Sequence, residues 1–376
     1  MAGSQPSAGL ITALNKMREM SVKDGGVYHQ YIPTITEDTD ISKIGSVILD
    51  SNLTPVYNEF FNLLKRIAFF MIENKRFANP LSFLEGSEMP LGYAGQGVHV
   101  NPAKGRAFDV NDFAGILQKY EAETFTEYYN INMDRQYSVS LPRTKIKNAF
   151  VSWGDLEAFV NGIVNSLYNG AEIDAYNYTK TLVSSAYLGK RVQVKKVSAV
   201  VDEATGKAFV KELKKLNRKF QLPSSDYNAW KLLNGDEAKA ITTWTDAQNI
   251  GLMITADIEA ELSVDVLAYA FNMSQVDAEE FIANRVVVVD NFDVYDDEGN
   301  KVFDGSAIQG IIFDKNFFKI KTQDNAMDEI YIPSNRCWQY FYNVNKLYNT
   351  SLFANAVVLA TQLPPDPESG ESGESK

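Results

Sequence analysis

The 376-residue sequence has one cysteine, Cys337, and two histidines, His29 and His99. One cysteine cannot form an intramolecular disulfide, so the sequence predicts a protein of a reducing cytoplasm. One cysteine and two histidines also cannot complete a structural zinc site. A Ser-His-Asp or Cys-His catalytic site would need one of two histidines that lie outside any clear helix or strand pattern, which makes such a site a poor interpretation.

Long apolar runs, nucleotide-binding motifs and repeats are also missing. The longest apolar run, Ile67 to Ile72, is far shorter than the ~20 residues of a membrane span, and nothing near Met1 has the order of a signal peptide. Neither Gly189-Lys190 nor Gly206-Lys207 completes a phosphate-binding loop. The net charge of -12 argues against tight wrapping of nucleic acid. We therefore expect no membrane segment, no cofactor and no metal.

What the sequence does have is one long apolar stripe with helical spacing, from Ser152 to Tyr187. Ser152 and Asp155 resemble a capping box, and Gly189 is placed where a left-handed helix end is expected. The predicted helix is roughly 50 Å long at 1.5 Å per residue. The stripe comprises Leu156, Phe159, Val160, Ile163, Val164, Leu167, Tyr168, Ala171, Ala175, Tyr178, Leu182 and Ala186.

A long strand is predicted immediately before this helix. From Tyr129 to Leu141 the odd positions are apolar, except for Arg135, and the even positions are polar. This alternation predicts one continuous strand with one solvated face, which ends at a turn around Pro142.

The first third of the sequence predicts an arm, a helix and a loop. Residues 1–50 read as an arm with one amphipathic patch (Leu10, Ile11, Leu14 and Met17). A helix begins at Thr54 and ends near Lys75. Residues 79–119 are rich in glycine and proline without periodicity, so we expect no core element there and ordering energy from outside the subunit.

The second half alternates shorter elements. The patterns predict strands at 191–201 and 285–290, the latter buried on both faces, and helices at 207–220, 255–271 and from Ser274. They also predict a hairpin at 294–302 and a strand with alternating aromatics at 338–344. Residues 363–376 have a composition that should not fold alone.

Two charged clusters each allow two interpretations. The acidic cluster could bind calcium, but its Asp-Glu-Gly-Asn sequence is what a hairpin turn requires, and we favour the hairpin. The basic cluster lies on a predicted helix that could contact nucleic acid, although a solvated helix face is the simpler explanation. The acidic cluster is Asp290, Asp293, Asp296, Asp297 and Glu298, and the basic one is Lys207, Lys211, Lys214, Lys215, Arg218 and Lys219.

The order of three stretches resembles a known family. They are Tyr128 to Asn132 with Ala149-Phe150, Leu156 and Ala171 to Asp174; Ile254 to Asp257 with Asp265 to Asn272; and Ile311 to Lys315 with Tyr348 to Ala356. Together they are similar to the major capsid proteins of tailed bacteriophages with the Hong Kong 97 fold, especially those of small short-tailed phages. The similarity spans about Tyr128 to Thr361.

The resemblance implies an α+β fold of the Hong Kong 97 type with the following divisions. They are an N-terminal arm (1–53), a helix (54–78), an extended loop (79–128), a peripheral domain with the long spine helix (129–189), an axial domain (190–334), a returning peripheral segment (335–362) and a C-terminal tail (363–376).

The implied function is that of a non-enzymatic head protein, which self-assembles into pentamers and hexamers of an icosahedral shell. The implied partners are other copies of the chain, portal and scaffold or accessory head proteins, and enclosed double-stranded DNA bound without sequence specificity. The implied location is the virion capsid, assembled in the host bacterial cytoplasm. The alternatives are a cytoplasmic metal-dependent enzyme with an acidic site near 290–298, or a decoration or scaffold protein of the same particle.

Five charged residues are candidates for contacts between subunits. We hypothesise that Lys104 and Arg106, in the loop, pair with Glu157, Glu172 and Asp174 on the long helix of a neighbouring subunit. Some members of the family cross-link a loop lysine to a neighbour's asparagine. Lys104 could be such a donor, but no partner acid can be identified from the sequence.

Overall fold

A computed structural model describes residues 8–50, 52–71, 77, 79–90, 92, 95–106, 119–235, 238–262, 286–296 and 298–365. The chain divides into two compact units. The helices are α1 (Ala8–Asp24), α2 (Tyr28–Tyr31), α3 (Ile41–Ile48), α4 (Thr54–Met71), α5 (Arg143–Ala149), α6 (Trp153–Leu188), α7 (Glu203–Phe220), α8 (Trp230–Asn234) and α9 (Ala256–Glu261).

The strands pair into sheets of two, three and five strands. They are β1 (Gly95–Val100), β2 (Thr124–Tyr129), β3 (Met133–Pro142), β4 (Gln193–Lys196), β5 (Ile250–Thr255), β6 (Val286–Val289), β7 (Val294–Tyr295), β8 (Lys301–Phe303), β9 (Ile308–Asp314), β10 (Phe318–Ile332), β11 (Cys337–Thr350) and β12 (Ala356–Ala360). Their orders in the sheets are β1-β2, β10-β11-β3, β4-β12-β9-β5-β6 and β7-β8.

The first unit comprises Met1–Asn79, Met133–Ala175 and Asp324–Asn345. Its core is aromatic: the rings of Phe61 and Trp338 stack with centroids 5.1 Å apart, and Phe60 lies 5.6 Å from Phe150. Such pairs add to the hydrophobic free energy of burial. Leu10 and Met17 of α1 belong to the same core.

The segment predicted as an arm is helical where the structure describes it. Its amphipathic patch is confirmed, since Leu10, Leu14 and Met17 are buried. Residues 8–50 form α1, α2 and α3, whose apolar side chains pack into the core of the first unit. Helix α4 begins at Thr54 as predicted, but its predicted end near Lys75 lies outside the described residues.

The second unit comprises Pro80–Asn132, Tyr176–Gln323 and Lys346–Lys376. Its five-stranded sheet is mixed: β12 pairs parallel with β4 and antiparallel with β9, and β5 pairs parallel with β6. Helix α7 covers this sheet with a buried stripe that includes Leu213 and Phe220. Strand β6 confirms the predicted strand, and Val286, Val287 and Val289 are buried. Since consecutive residues of a strand lie on opposite faces, burial on both faces is confirmed except at Val288, which is 37% exposed.

The long helix is confirmed as α6, with 36 residues. Ser152 caps it, because its Oγ accepts the amide hydrogen of Asp155 at 3.2 Å. The predicted left-handed residue is wrong by one position: Lys190, not Gly189, has a positive φ of 51°. The Arg191 amide donates to the Ala186 carbonyl at 2.8 Å and the Lys190 amide to the Tyr187 carbonyl at 3.4 Å, the two hydrogen bonds of a Schellman end.

The predicted strand at 129–141 is interrupted. Strand β2 ends at Tyr129 and β3 begins at Met133. Between them, Asn132 accepts the Tyr348 amide hydrogen at 2.8 Å and donates to the Tyr348 carbonyl at 2.7 Å. The Asn132 side chain therefore bonds both the amide and the carbonyl of Tyr348, in place of a backbone partner. The alternation of apolar and polar residues cannot reveal such a side-chain contact.

The prediction that residues 79–119 lack core elements is also wrong where the structure describes them. Strand β1 pairs antiparallel with β2, and Leu81, Leu84 and Met89 are buried. The Met89 amide donates to the Thr322 carbonyl at 2.8 Å. This segment consists of glycines and of isolated apolar residues that contact distant strands. Its apolar residues therefore do not recur at a helical or strand spacing, and periodicity could not reveal its structure.

The remaining predictions have mixed outcomes. Helix α7 begins at Glu203, earlier than predicted, because Asp202 and Thr205 form a capping box. The hairpin is confirmed by β7 and β8, and strands β4 and β11 occupy the segments predicted for them. Helix α9 confirms only the start of the helix at 255–271, and the rest of that helix, the helix from Ser274 and most of the tail lie outside the described residues.

Candidate intersubunit contact residues

Lys104 and Arg106 are exposed side chains in the second unit, on the segment that follows β1. The Arg106 guanidinium lies over the ring of Tyr120, 5.2 Å from its centroid. Such a contact orients an arginine without neutralising it.

The base of this segment is fixed within the second unit. Asn101 Nδ2 donates to the Ala240 carbonyl at 2.8 Å, and Asn101 Oδ1 accepts the Thr242 amide hydrogen at 3.0 Å. The pKa of Glu123 is lowered by a hydrogen bond from Asn101, by Lys239 and, more weakly, by the charge of Lys104. Asn101 therefore anchors the start of the segment that carries Lys104 and Arg106.

Glu172 and Asp174 belong to the part of α6 in the first unit. Glu172 accepts a hydrogen bond from the Tyr168 hydroxyl at 2.6 Å, and Asp174 accepts one from the Tyr137 hydroxyl at 2.7 Å. Both donors are neutral, and a carboxylate has further acceptor sites. The side chain of Glu157 lies outside the described residues.

The structure thus brings Lys104 and Arg106 together on one segment, and Glu172 and Asp174 together on one helix. The two pairs fall in different units. Their pairing between neighbouring subunits stays a prediction.

Sequence reasoning missed an ion pair between a buried lysine and a half-exposed aspartate in the second unit. Lys180, 3% exposed, lies 2.8 Å from Oδ1 of Asp290, which also accepts from the Tyr176 hydroxyl at 2.8 Å. Partial burial raises the pKa of Asp290, but the hydrogen bonds from Lys180 and Tyr176 outweigh it and leave that pKa lowered. Burial and the same carboxylate raise the pKa of Tyr176 to about 12.

A sequence signal for this pair was available but weak. Lys180 is a cation within an otherwise buried stretch of α6, which demands a counterion. Nothing local identified Asp290, 110 residues away, as that counterion.

The acidic cluster near residue 293 forms a hairpin in which the carboxylates of Asp293 and Asp296 are paired with groups of the same segment. Asp293 Oδ2 lies 2.9 Å from the Lys301 ammonium, and its Oδ1 accepts the Gly305 amide hydrogen at 2.8 Å. Asp296 Oδ1 accepts the amide hydrogens of Glu298 and Asn300. Within the described residues, no group of three or more Cys, His, Asp or Glu is arranged to hold a metal, and Asp297 lies outside them.

A cleft of about 470 Å³ in the second unit contains His99, Glu127 and Ser351. Ser351 Oγ donates to Glu127 at 2.6 Å, and Glu127 also accepts the Leu352 amide hydrogen at 2.9 Å. His99 Nε2 is buried and has no hydrogen-bond partner among the described residues. A catalytic triad requires the histidine between the serine and the carboxylate, and these three residues are not so arranged. Across the described residues, no helix has the length and apolarity needed to cross a membrane.

Comparison with known proteins gives one consistent result. The family model described as Phi29-like phage major capsid protein matches residues 15–360. The major capsid protein of Bacillus phage PZA is 29% identical over 365 residues, which cover 94% of this chain and 74% of that protein. The major capsid protein of Bacillus phage B103 is 29% identical over 340 residues, which cover 89% and 70%.

Two solved structures are similar in fold. A chain from the capsid structure of Staphylococcus phage Andhra matches with a TM-score of 0.61 at 12% identity, covering 77% of this chain and 86% of that chain. A chain from the structure of the head fiber and inner core protein of native bacteriophage P68 matches with a TM-score of 0.56 at 13% identity, covering 76% and 85%.

Proposed function

We infer that this chain, which belongs to the family of Phi29-like phage major capsid proteins, builds the shell of a phage head from many copies of itself. The observation that carries this conclusion is the family match over residues 15–360, which includes most of both compact units. Its α+β fold is of the Hong Kong 97 type. The protein is a structural component of the virion.

We propose that the copies form pentamers and hexamers, which tile an icosahedral shell around double-stranded DNA. Head-to-tail contacts between identical subunits close into rings when the rotation between neighbours permits. The net charge of -12 supports this role, because a shell that attracted DNA strongly over its whole surface would oppose packaging.

We further propose that residues 79–128 act as the extended loop and residues 190–334 as the axial domain, with 129–189 and 335–362 as the peripheral domain. In this scheme Lys104 and Arg106 contact Glu157, Glu172 and Asp174 of a neighbouring copy. The exposure of the two cations and the neutral donors on the two described carboxylates support the scheme. One exposed pair contributes only about 0–1 kcal/mol, but a shell repeats it many times.

A non-enzymatic role, assembly in the host bacterial cytoplasm, and contacts with portal and scaffold or accessory head proteins complete the proposal. Its test is production of the chain with the other head proteins of its phage, followed by sedimentation and negative-stain microscopy. Closed or tubular particles with five-fold and six-fold rings are expected. A species of 42.1 kDa that stays monomeric with those partners present would contradict the proposal.

A further inference from the structure

Helix α7 presents a concentrated cationic surface on an acidic protein. One side of the helix is buried, with Phe209, Leu213 and Phe220 at most 2% exposed. We call the cations of the opposite side the basic face. It comprises Lys211, Lys214, Lys215, Arg218 and Lys219.

The basic face is not arranged as an ordinary solvated helix surface. Such surfaces intersperse charges of both signs, because opposite charges four residues apart stabilise a helix and like charges destabilise it. Within the basic face the like-charged pairs four residues apart are Lys211 with Lys215, Lys214 with Arg218, and Lys215 with Lys219. Glu212, whose carboxylate lies 3.8 Å from the Lys215 ammonium, is the single acid between residues 211 and 219.

The surface has a defined limit at its N-terminal end. A Cβ atom on Gly206 would lie 3.3 Å from Leu262, so this end of α7 adjoins α9. Helix α9 carries the exposed acids Asp257, Glu259 and Glu261. We therefore exclude Lys207 from the basic face. At the other end, the Lys219 ammonium lies over the Tyr227 ring, 6.0 Å from its centroid.

The composition of the basic face favours a nucleic-acid backbone over a protein surface. Lysine is depleted at protein–protein interfaces, whose cores are apolar and aromatic, and four of the five cations of the face are lysines. The face extends about 12 Å along the helix axis. Over that distance, duplex DNA presents about seven phosphate charges.

We propose that the basic face of α7 contacts the phosphate backbone of duplex DNA, without sequence preference; the inference rests on the proposed function, in which the shell encloses that DNA. A patch of five cations on a chain of charge -12 gives contacts that are local, weak and sensitive to salt. Such contacts hold DNA against the protein without the strong, general attraction that would oppose packaging.

The test measures binding of the full-length chain to a labelled random-sequence duplex of about 30 base pairs, between about 50 and 200 mM salt. The variant is Lys211→Gln, Lys215→Gln and Arg218→Gln together. The matched control is Lys43→Gln, Lys145→Gln and Lys147→Gln, which removes three exposed cations of the first unit. Sedimentation and circular dichroism verify that all three proteins share oligomeric state and helix content.

The variant is expected to bind at least tenfold more weakly at the lowest salt. Its slope of log affinity against log salt should fall by about 2.7, since each lost phosphate contact removes about 0.9. The control should match the wild type. If the triple variant does not fold, Lys211→Gln and Arg218→Gln alone should each reduce the slope by about 0.9.

Three results would overturn the proposal: no duplex binding by the wild type at the lowest salt, an equal loss in the control, or an unchanged slope in the variant. Loss of particle assembly with an unchanged slope would instead assign the face to an acidic surface of a second copy. Particle formation by the wild type is scored separately by microscopy, so failure of the shell function is distinguishable from failure of DNA contact.

Discussion

The ammonium of Lys180, almost fully buried on α6, lies 2.8 Å from Oδ1 and 3.0 Å from Oδ2 of Asp290, the residue that follows β6. The pair joins a helix and a sheet edge that are 110 residues apart in the sequence. Asp290 is 56% exposed, so solvent weakens the attraction, whereas Lys180 has little access to water and depends on its partner.

Replacement of Asp290 should therefore destabilise the second unit. Asp290→Asn leaves the Lys180 ammonium buried without a counterion, and we expect a loss of about 1–3 kcal/mol, less than for a fully buried pair because Asp290 is half exposed. Urea unfolding of the unassembled chain measures this loss in the free energy of unfolding. Adding Lys180→Met should recover much of the loss; equal stability of the wild type and Asp290→Asn would contradict this expectation.

The same pair predicts a dependence on pH. The pKa of Asp290 is lowered in the folded state, because the hydrogen bonds from Lys180 and Tyr176 outweigh the opposing effect of partial burial. The stability that ionised Asp290 contributes is thus fully present above its pKa in the unfolded chain, about 3.9, and is lost as pH falls through its pKa in the folded protein. The stability difference between wild type and Asp290→Asn should be constant above about pH 5 and shrink below about pH 4. A difference that persists unchanged to about pH 3 in urea titrations would show that the charge is not responsible.

A stabilising change is expected at the end of α6. Lys190 has a φ of 51°, a conformation that costs a residue with a Cβ about 1–2 kcal/mol. Lys190→Gly should raise the free energy of unfolding by about 0.5–1 kcal/mol, because part of the gain is offset by the greater freedom of glycine in the unfolded chain. Lys190→Ala keeps the strain and controls for loss of the side chain. A melting temperature of the glycine variant no higher than that of the alanine variant would refute the prediction.

The loop cations should matter for assembly and not for folding. Lys104→Glu with Arg106→Glu changes exposed side chains, so circular dichroism should be unaffected, while particle yield should fall, most of all at low salt where charges are least screened. The double variant Lys145→Glu with Lys147→Glu is the matched control. Partial rescue by Glu172→Lys would support the pairing, and normal particles at low ionic strength would rule it out.

Periodic segments could be predicted from the sequence because their signal is local. Helix α6 and the β7–β8 hairpin each follow from spacing and turn residues within one segment. Helix α7 was predicted with its basic side, although its start was fixed by the Asp202 cap rather than by periodicity.

Contacts between distant segments could not be predicted. The two backbone hydrogen bonds of Asn132 to Tyr348, the strand pairing of β1 and the counterion of Lys180 each join residues that share no local pattern. The candidate intersubunit contacts are harder still, because half of each contact belongs to another copy of the chain. The pairing of Lys104 and Arg106 with Glu157, Glu172 and Asp174 therefore rests on opposite charge alone.

The position of β12 has a consequence for the timing of synthesis. Residues 356–360 lie between β4 and β9, so the five-stranded sheet stays divided until almost the last described segment has left the ribosome. Ribosome-bound chains stopped at residue 355 should be cut rapidly by protease in the second unit, and chains that include residue 360 should resist once released. A product that ends before residue 356 lacks the strand that joins β4 to β9, so we expect prematurely terminated chains to be degraded and not assembled.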